Sequence, residues 1–252
     1  MVMRKGHVQE PAWSRRPLAL PHNQLLDALV NADRKRILPD LELVALPAGV
    51  VLYESGDTLA HVYFPTDAII SLLYTTTRGE CSEIGLVGNE GLVGISLFMG
   101  GDSTPSHGVV QTSGYAYRLK AQLLKKEFNR CTALQNLLLR YIQSVLVQMA
   151  QIAVCNRHHT VDQQLCRWLL LNLDRLPGNE VAVTQELIAT RLGVRREGVT
   201  CAARKLQAAG VIEYKRGHII VLDRPRLERL CCDCYEAMKH EGQWLYEEAE
   251  AC

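Results

Sequence analysis

Apolar and polar positions change rhythm several times along the chain, and each change predicts an element. Between residues 23 and 38, Leu25, Leu26, Leu29, Val30 and Ile37 recur at helical spacing behind Asn23, a capping residue type, and Pro39 closes the run. From 41 to 118 the apolar runs become short. Residues 41–46, 50–53, 61–64 and 69–75 are separated by turn-forming pieces such as Pro47-Ala48-Gly49 and Ser55-Gly56-Asp57, and glycine is dense from Gly85 to Gly114. Many short strands with closely spaced turns predict an antiparallel barrel or sandwich. A long helical pattern then runs from about 121 to 158. A second runs from 161 to 176 and stops at Pro177-Gly178.

The long pattern carries two apolar seams that step by three and four residues. One passes through Leu134, Leu138, Tyr141, Val145, Gln148, Ile152, Cys155 and His159; the other through Leu139, Ile142, Leu146, Met149 and Ala153. One seam can pack on the strands. The other needs a second surface, and the simplest is the same helix of a second copy. Gln148 resembles the polar core residue that sets register between paired helices. Leu138, Tyr141, Val145, Gln148, Ile152 and Cys155 are therefore read as the dimer interface. No unbroken run of about 18 apolar residues occurs, so no transmembrane helix is expected.

Residues 183–206 carry the most specific pattern. Thr184 is a good N-cap with Glu186 in the first turn, and Leu187, Ile188 and Leu192 form a buried stripe. Gly193 follows where a sharp turn between helices wants positive φ. Val194, Val199, Ala202, Ala203 and Leu206 give a second helix its apolar face, and Ala189 is small where crossing helices must approach. Helix, glycine turn and helix make a helix-turn-helix. The second helix starts Arg195-Arg196-Glu197, with Thr200 one turn on. Arg suits the guanine acceptors, and Glu accepts from cytosine N4. Residues 211–214 and 219–222, joined by Lys215-Arg216-Gly217-His218, read as a hairpin whose basic tip lies over the sugar-phosphate backbone. The helix start Thr184-Gln185, Lys215 and Arg216 supply phosphate contacts.

Charge sharpens this reading. The 252 residues hold 28 Lys+Arg and 27 Asp+Glu, a net of +1 that seems to argue against nucleic acid. Residues 184–229 alone carry net +5, and residues 230–252 carry net −5. The neutral total is a cancellation between a basic reading unit and an acidic C-terminal tail.

With these pieces in order, the chain resembles the Crp/Fnr (catabolite activator protein) family of bacterial transcription regulators over roughly residues 22–230. Arg196, Glu197 and Val199 fit that family's recognition helix, whereas Cys201 stands where it often has a further base-reading Arg. The resemblance implies an α+β chain. It would hold an antiparallel β-barrel of jelly-roll, cyclic-nucleotide-binding-like form over 23–133 and a dimerisation helix over 134–159, behind residues 1–22, which hold Pro11, Pro17 and Pro21 without a periodic pattern and read as a flexible leader. A winged helix-turn-helix over 160–229 and the acidic tail over 230–252 would follow. It further implies a cytoplasmic homodimer on a pseudo-palindromic double-stranded DNA operator, with RNA polymerase as a further partner and no membrane.

The family's nucleotide cassette needs a Gly-Glu pair and an Arg beside a small polar residue. Here Gly94 is followed by Ile95 where the Glu should stand, and Ser106 and His107 occupy the Arg positions. An isoleucine cannot accept from a ribose hydroxyl, nor can serine neutralise a phosphate, so cyclic AMP is not expected to bind in the family mode. Residues 1–40 contain no cysteine, which excludes an N-terminal iron–sulfur cluster. The nine cysteines are odd in number and irregular in spacing, and Met1 to Arg16 lacks the apolar core of a secretory signal, so free thiols in a reducing cytoplasm are expected. Adjacent Cys231 and Cys232 cannot easily join Cys234 on one helix face, and Arg157-His158-His159 read as cationic capping of the long helix. No metal and no cofactor are assigned. The alternative is a thiol- or metal-responsive regulator built on Cys231, Cys232 and Cys234. No phosphate-binding glycine loop, nucleophile elbow or His-Glu metal helix is found, so no enzyme is expected.

Overall fold

The computed structural model describes residues 22–101 and 103–247, with side chains to residue 241. The flexible leader read over 1–22 falls outside the described residues but for His22. The first helical pattern is two short helices, α1 (Gln24–Asp27) and α2 (Asn31–Ile37), split by an extended Val30. Asn23 caps α1, accepting from Leu26 N at 3.1 Å, and its amide donates to the carbonyls of Pro65 and Gly91 at 2.8 and 2.9 Å. One buried amide thus sets the helix and fastens it to the strands.

The strands are β1 (Glu42–Leu46), β2 (Val51–Tyr53), β3 (His61–Pro65), β4 (Ile69–Thr75), β5 (Cys81–Val87), β6 (His107–Thr112) and β7 (Gly114–Lys120). They form two antiparallel sheets, ordered β1-β7-β3 and β2-β6-β4-β5, over a shared apolar core. The two sheets are not closed into a barrel and have the paired-sheet form of a jelly roll. The chain crosses from one sheet to the other at Ser113-Gly114, where a Cβ on Gly114 would lie 2.5 Å from Ala68 N. β4 is buried from Ile69 to Leu73 because both of its faces are covered. Ile70 and Leu72 enter the core between the sheets, and Ile69 enters a second core on the other face.

The long helical pattern is also broken. α3 (Ala121–Phe128) ends before Cys131, whose φ is +55°, and α4 (Ala133–His158) follows. The seam assigned to the dimer is corrected: Leu138, Tyr141, Val145, Ile152 and Cys155 are buried within the single chain. Tyr141 Oη donates to Leu92 O at 2.9 Å, with its ring against Gly91. Gln148 accepts from Leu86 N at 2.8 Å, so its amide completes the open edge of β5 rather than a register between helices. Leu139, Leu146 and Val154 are left about half exposed on the opposite side. By length and mean hydropathy (1.4) α4 could cross a bilayer, yet a third of that stretch is buried inside the protein.

The remaining elements are α5 (Val161–Leu173), β8 (Glu180–Ala182), α6 (Gln185–Leu192), α7 (Arg196–Ala208), β9 (Ile212–Lys215), β10 (His218–Val221), α8 (Arg224–Leu230) and α9 (Cys234–Glu247). Thr160 starts α5 with a reciprocal capping box with Gln163. The last segment, read as an acidic tail, is instead the helix α9 as far as residue 247. It packs along α4 and buries Cys234, Tyr235 and Met238.

The second core joins Ile69 and Leu86 of the sheet to α5, α6 and α7. Its seam contains fully buried polar groups. Glu83 of β5 accepts from Trp168 Nε1 at 3.0 Å and lies 3.9 Å from Arg191 Nε of α6, with both ion-pair side chains about 5% exposed. Ser71 donates to Gln111, which bonds Asn172 of α5. At the far end of α5, Arg175 pairs with Glu90 at 2.7 Å. Burial pushes the Glu83 carboxyl above the ordinary carboxylate range, against the pull of Ser71, Arg191 and Trp168. Its contribution to stability is therefore complete below the ordinary carboxylate pKa and is lost as pH rises through the raised value. In urea unfolding across pH, the stability difference between Glu83→Gln and the parent chain should shrink as pH falls; a constant difference would contradict the assignment.

Candidate nucleic-acid interface

The helix-turn-helix is α6 and α7. Thr184 caps α6 by accepting from Leu187 N at 3.2 Å. Gly193 ends it with φ 65° and ψ 32°, and the N–H groups of Gly193 and Val194 turn back to the carbonyls of Thr190 and Ala189. Buried Ala189, Val199, Ala202, Ala203 and Leu206 make the helix crossing. Small side chains there let the two helices approach, and the opposite face of α7 is left to solvent.

That outer face holds the residues singled out from the sequence. Arg195, the N-cap of α7, and Arg196 and Glu197 in its first turn are all exposed. Arg196 Nε lies 3.7 Å from Glu186 Oε2, with both side chains well over half exposed, so this pair is weak and readily exchanged. Thr200 Oγ1 is 2.7 Å from Gln185 Oε1 and 3.0 Å from Arg196 O. Gln185 and Thr200 therefore hold each other, tying the start of α6 to the middle of α7. Lys215 and Arg216 are exposed at the tip of the β9–β10 hairpin, with Lys215 Nζ 3.0 Å from Glu213. β8 adds a third strand in the order β8-β10-β9.

A groove along α7 is lined by Gln185, Arg196, Glu197, Thr200, Cys201 and Arg204, among others. Arg204 was not singled out from the sequence. Its signal was there: it lies four residues after Thr200 and eight after Arg196, on the same helical face. On its other side the N-terminal end of α7 opens onto a cleft of about 1020 Å³ shared with the β4–β5 turn, including Thr76, Glu80 and Ser82.

A second cavity, of about 220 Å³, lies between the strands and α4. Gly94, Ile95 and Ser106 line it together with Tyr53, Leu72 and Met149; His107 starts β6 and is not among the lining residues. Ser106 Oγ lies 2.9 Å from Thr104 Oγ1 and 3.4 Å from Tyr53 Oη, whose pKa burial pushes up, whereas the buried Oγ of Ser96, also on the lining, has no hydrogen-bond partner. No charged side chain lines this cavity among the described residues. The C-terminal thiols divide. Cys232 and Cys234 are buried toward the end of α4, whereas Cys231 is half-buried beside the second core.

Residues 163–230 match the Crp-like helix-turn-helix domain. No curated protein matches the chain. Among solved structures, a transcriptional regulator described as of the Crp/Fnr family from Eubacterium rectale aligns with a TM-score of 0.65 at 19% identity, covering 82% of this chain and 96% of that one. FixK2 from Bradyrhizobium japonicum aligns with a TM-score of 0.65 at 16% identity, over 76% of this chain and 98% of its own. A CRP-family transcriptional regulator from Thermus thermophilus aligns with a TM-score of 0.61 at 17% identity, over 75% and 95%. At these identities the likeness is one of fold.

The two glycines of this unit should respond in opposite ways. At Gly193 a Cβ would have to hold φ 65° and would lie 2.7 Å from Ser82 Oγ, so Gly193→Ala should cost about 1–2 kcal/mol in denaturant unfolding. At Gly198, inside α7, a Cβ meets nothing closer than 3.8 Å, so Gly198→Ala should stabilise by about 0.5–1 kcal/mol. Equal effects would refute this account of the turn.

Proposed function

We propose that this chain, which has the Crp/Fnr fold and carries a Crp-like helix-turn-helix domain, is a cytoplasmic, homodimeric, sequence-specific DNA-binding transcription regulator that does not respond to cyclic AMP. The observation that carries the reading is the exposed set Arg195, Arg196 and Glu197 at the N-terminal end of α7, beyond a left-handed glycine turn. Side chains at that end of a recognition helix reach base edges in the major groove. Arg196 offers a two-pronged donor for guanine, and Glu197 an acceptor for cytosine N4. Thr184 and Gln185, Lys215 and Arg216 fix position on the phosphates, and Arg204 extends the basic face along α7. RNA polymerase is the further partner that a regulator of this fold implies.

A dimer supplies the second half-site, with centres about 34 Å apart on the duplex. Leu139, Leu146 and Val154 are the half-exposed apolar side chains of α4, and the first two lie one heptad apart. This is the surface we assign to the two-fold contact, in place of the seam that packs on β5. The cleft beside the start of α7 places the β4–β5 turn next to Arg195, Arg196 and Glu197.

The cavity beside α4 would have to desolvate a phosphate without any cationic partner among its lining residues. Isothermal titration with cyclic AMP should therefore give no binding heat; micromolar affinity would overturn that part of the reading.

Gel shifts over a salt series test the reading itself. Arg196→Ala should relax discrimination at one base pair and cost about 1–3 kcal/mol on the preferred site. Lys215→Ala should weaken all sequences alike and reduce the salt slope by about one unit. Indistinguishable behaviour of the two variants would remove α7 as the reading helix. For the dimer, Leu146→Glu should give a folded monomer by light scattering; a variant that stays dimeric would place the contact elsewhere.

A further inference from the structure

We propose that Cys155, His159, Cys232 and Cys234 form a site for a single tetrahedral zinc ion that fastens the start of α9 to the end of α4. Cys155 and His159 stand one turn apart at the C-terminal end of α4, and Cys232 and Cys234 flank the entry to α9. The three sulfurs belong to buried residues, and His159 is half-buried. One ligand atom from each residue lies within 4.8 Å of all the others. Cys155 Sγ is 3.5 Å from Cys232 Sγ, and Cys234 Sγ is 3.5 Å from His159 Nδ1.

The two 3.5 Å separations are close to the edges of a coordination tetrahedron, and the remaining pairs lie within 4.8 Å. Zinc–sulfur bonds of about 2.3 Å and zinc–nitrogen bonds of about 2.05 Å place sulfur pairs about 3.8 Å apart and sulfur–nitrogen pairs about 3.6 Å apart. A disulfide would need the sulfurs at about 2.05 Å. A cluster of several irons would spread the ligands wider than a single ion does. Three thiolates and one imidazole are a structural zinc set, with no position left for water or substrate.

The surroundings fit the same assignment. With Nδ1 turned to the sulfurs, His159 has Nε2 3.7 Å from Asp233 Oδ1, beyond hydrogen-bond length but on the side from which a carboxylate orients a ligating ring. Three thiolates on a divalent ion leave one negative charge. Buried Arg167, whose Nε has no hydrogen-bond partner, lies close enough to Cys155 to act on it electrostatically. The two ligand pairs sit on opposite sides of Thr160, one at the end of α4 and one beyond the winged unit. A bound ion therefore ties the segment that follows the winged unit back to α4.

The test uses the full chain purified reduced and without oxygen, loaded with zinc and dialysed, then measured by elemental analysis and by cobalt substitution. The expected result is one zinc per chain, and cobalt spectra with the intense visible bands of a tetrahedral site and near-ultraviolet thiolate charge transfer. Cys234→Ser and His159→Asn should each weaken cobalt binding at least tenfold, and Asp233→Asn by about tenfold, with helix content by circular dichroism unchanged. Cys131→Ser and Cys201→Ser, at exposed positions, should bind as the parent does. Chelation should make three more thiols reactive. Absence of bound metal, the weak bands of six-coordinate cobalt, or equal affinity in the ligand and control variants would each overturn the proposal. So would a Cys155–Cys232 disulfide in the metal-free protein. None of these readouts involves DNA, so their outcome is independent of the operator-binding reading.

Discussion

A carboxylate buried between a sheet and the helices of a reading unit is costly unless several groups answer it, and Glu83 is placed there. Trp168, Arg191 and Ser71 surround it, and the same seam holds the Gln111–Asn172 contact and the Glu90–Arg175 pair. Removing one member strands the rest in a low dielectric, so the groups stand or fall together. The position of α6, and through Gly193 that of α7, depends on this junction. Glu83 and Arg191 join β5 to α6 beside the cleft at the reading end of α7.

Function in this reading comes from a division of labour. A stiff sheet pair and α4 supply a platform, and α5 carries the polar contacts that seat the winged unit. The face of α7 that does not pack keeps its basic side chains in water. The wing tip and the start of α6 add positioning charge without sequence information. A proposed metal clamp at the end of α4 and the Glu83 junction lie on different sides of the same winged unit. The one would hold by thiolate coordination, and the other holds by buried polar contacts.

The parts legible in the sequence are those whose signals are local. The winged unit could be placed because a cap, a left-handed glycine and a basic helix start fall within a few residues of one another. Strands were legible as a texture but not their division into two sheets, which depends on pairings between segments far apart in the chain. Heptad spacing gave α4 two seams and could not say which one faces its own sheet. Gln148 was read as a register residue because nothing local reveals the open N–H of Leu86 that it completes. Acidic composition suggested a tail where Tyr235 and Met238 anchor a helix. The Cys155–His159 pair was hidden for a similar reason, since Cys232 and Cys234 lie far along the chain and only the fold brings the four together. Arg204 was missed although its helical spacing was visible.

The central claim is that two copies of this chain read DNA through α7. Selection of binding sites from random duplex DNA by the purified full-length protein tests it most directly. The account predicts enrichment of one two-fold symmetric sequence whose half-site centres lie about one helical turn apart, with a preference for a guanine or cytosine that Arg196→Ala removes. Failure to enrich any sequence above random DNA, or a preference that survives unchanged in Arg196→Ala, would contradict it.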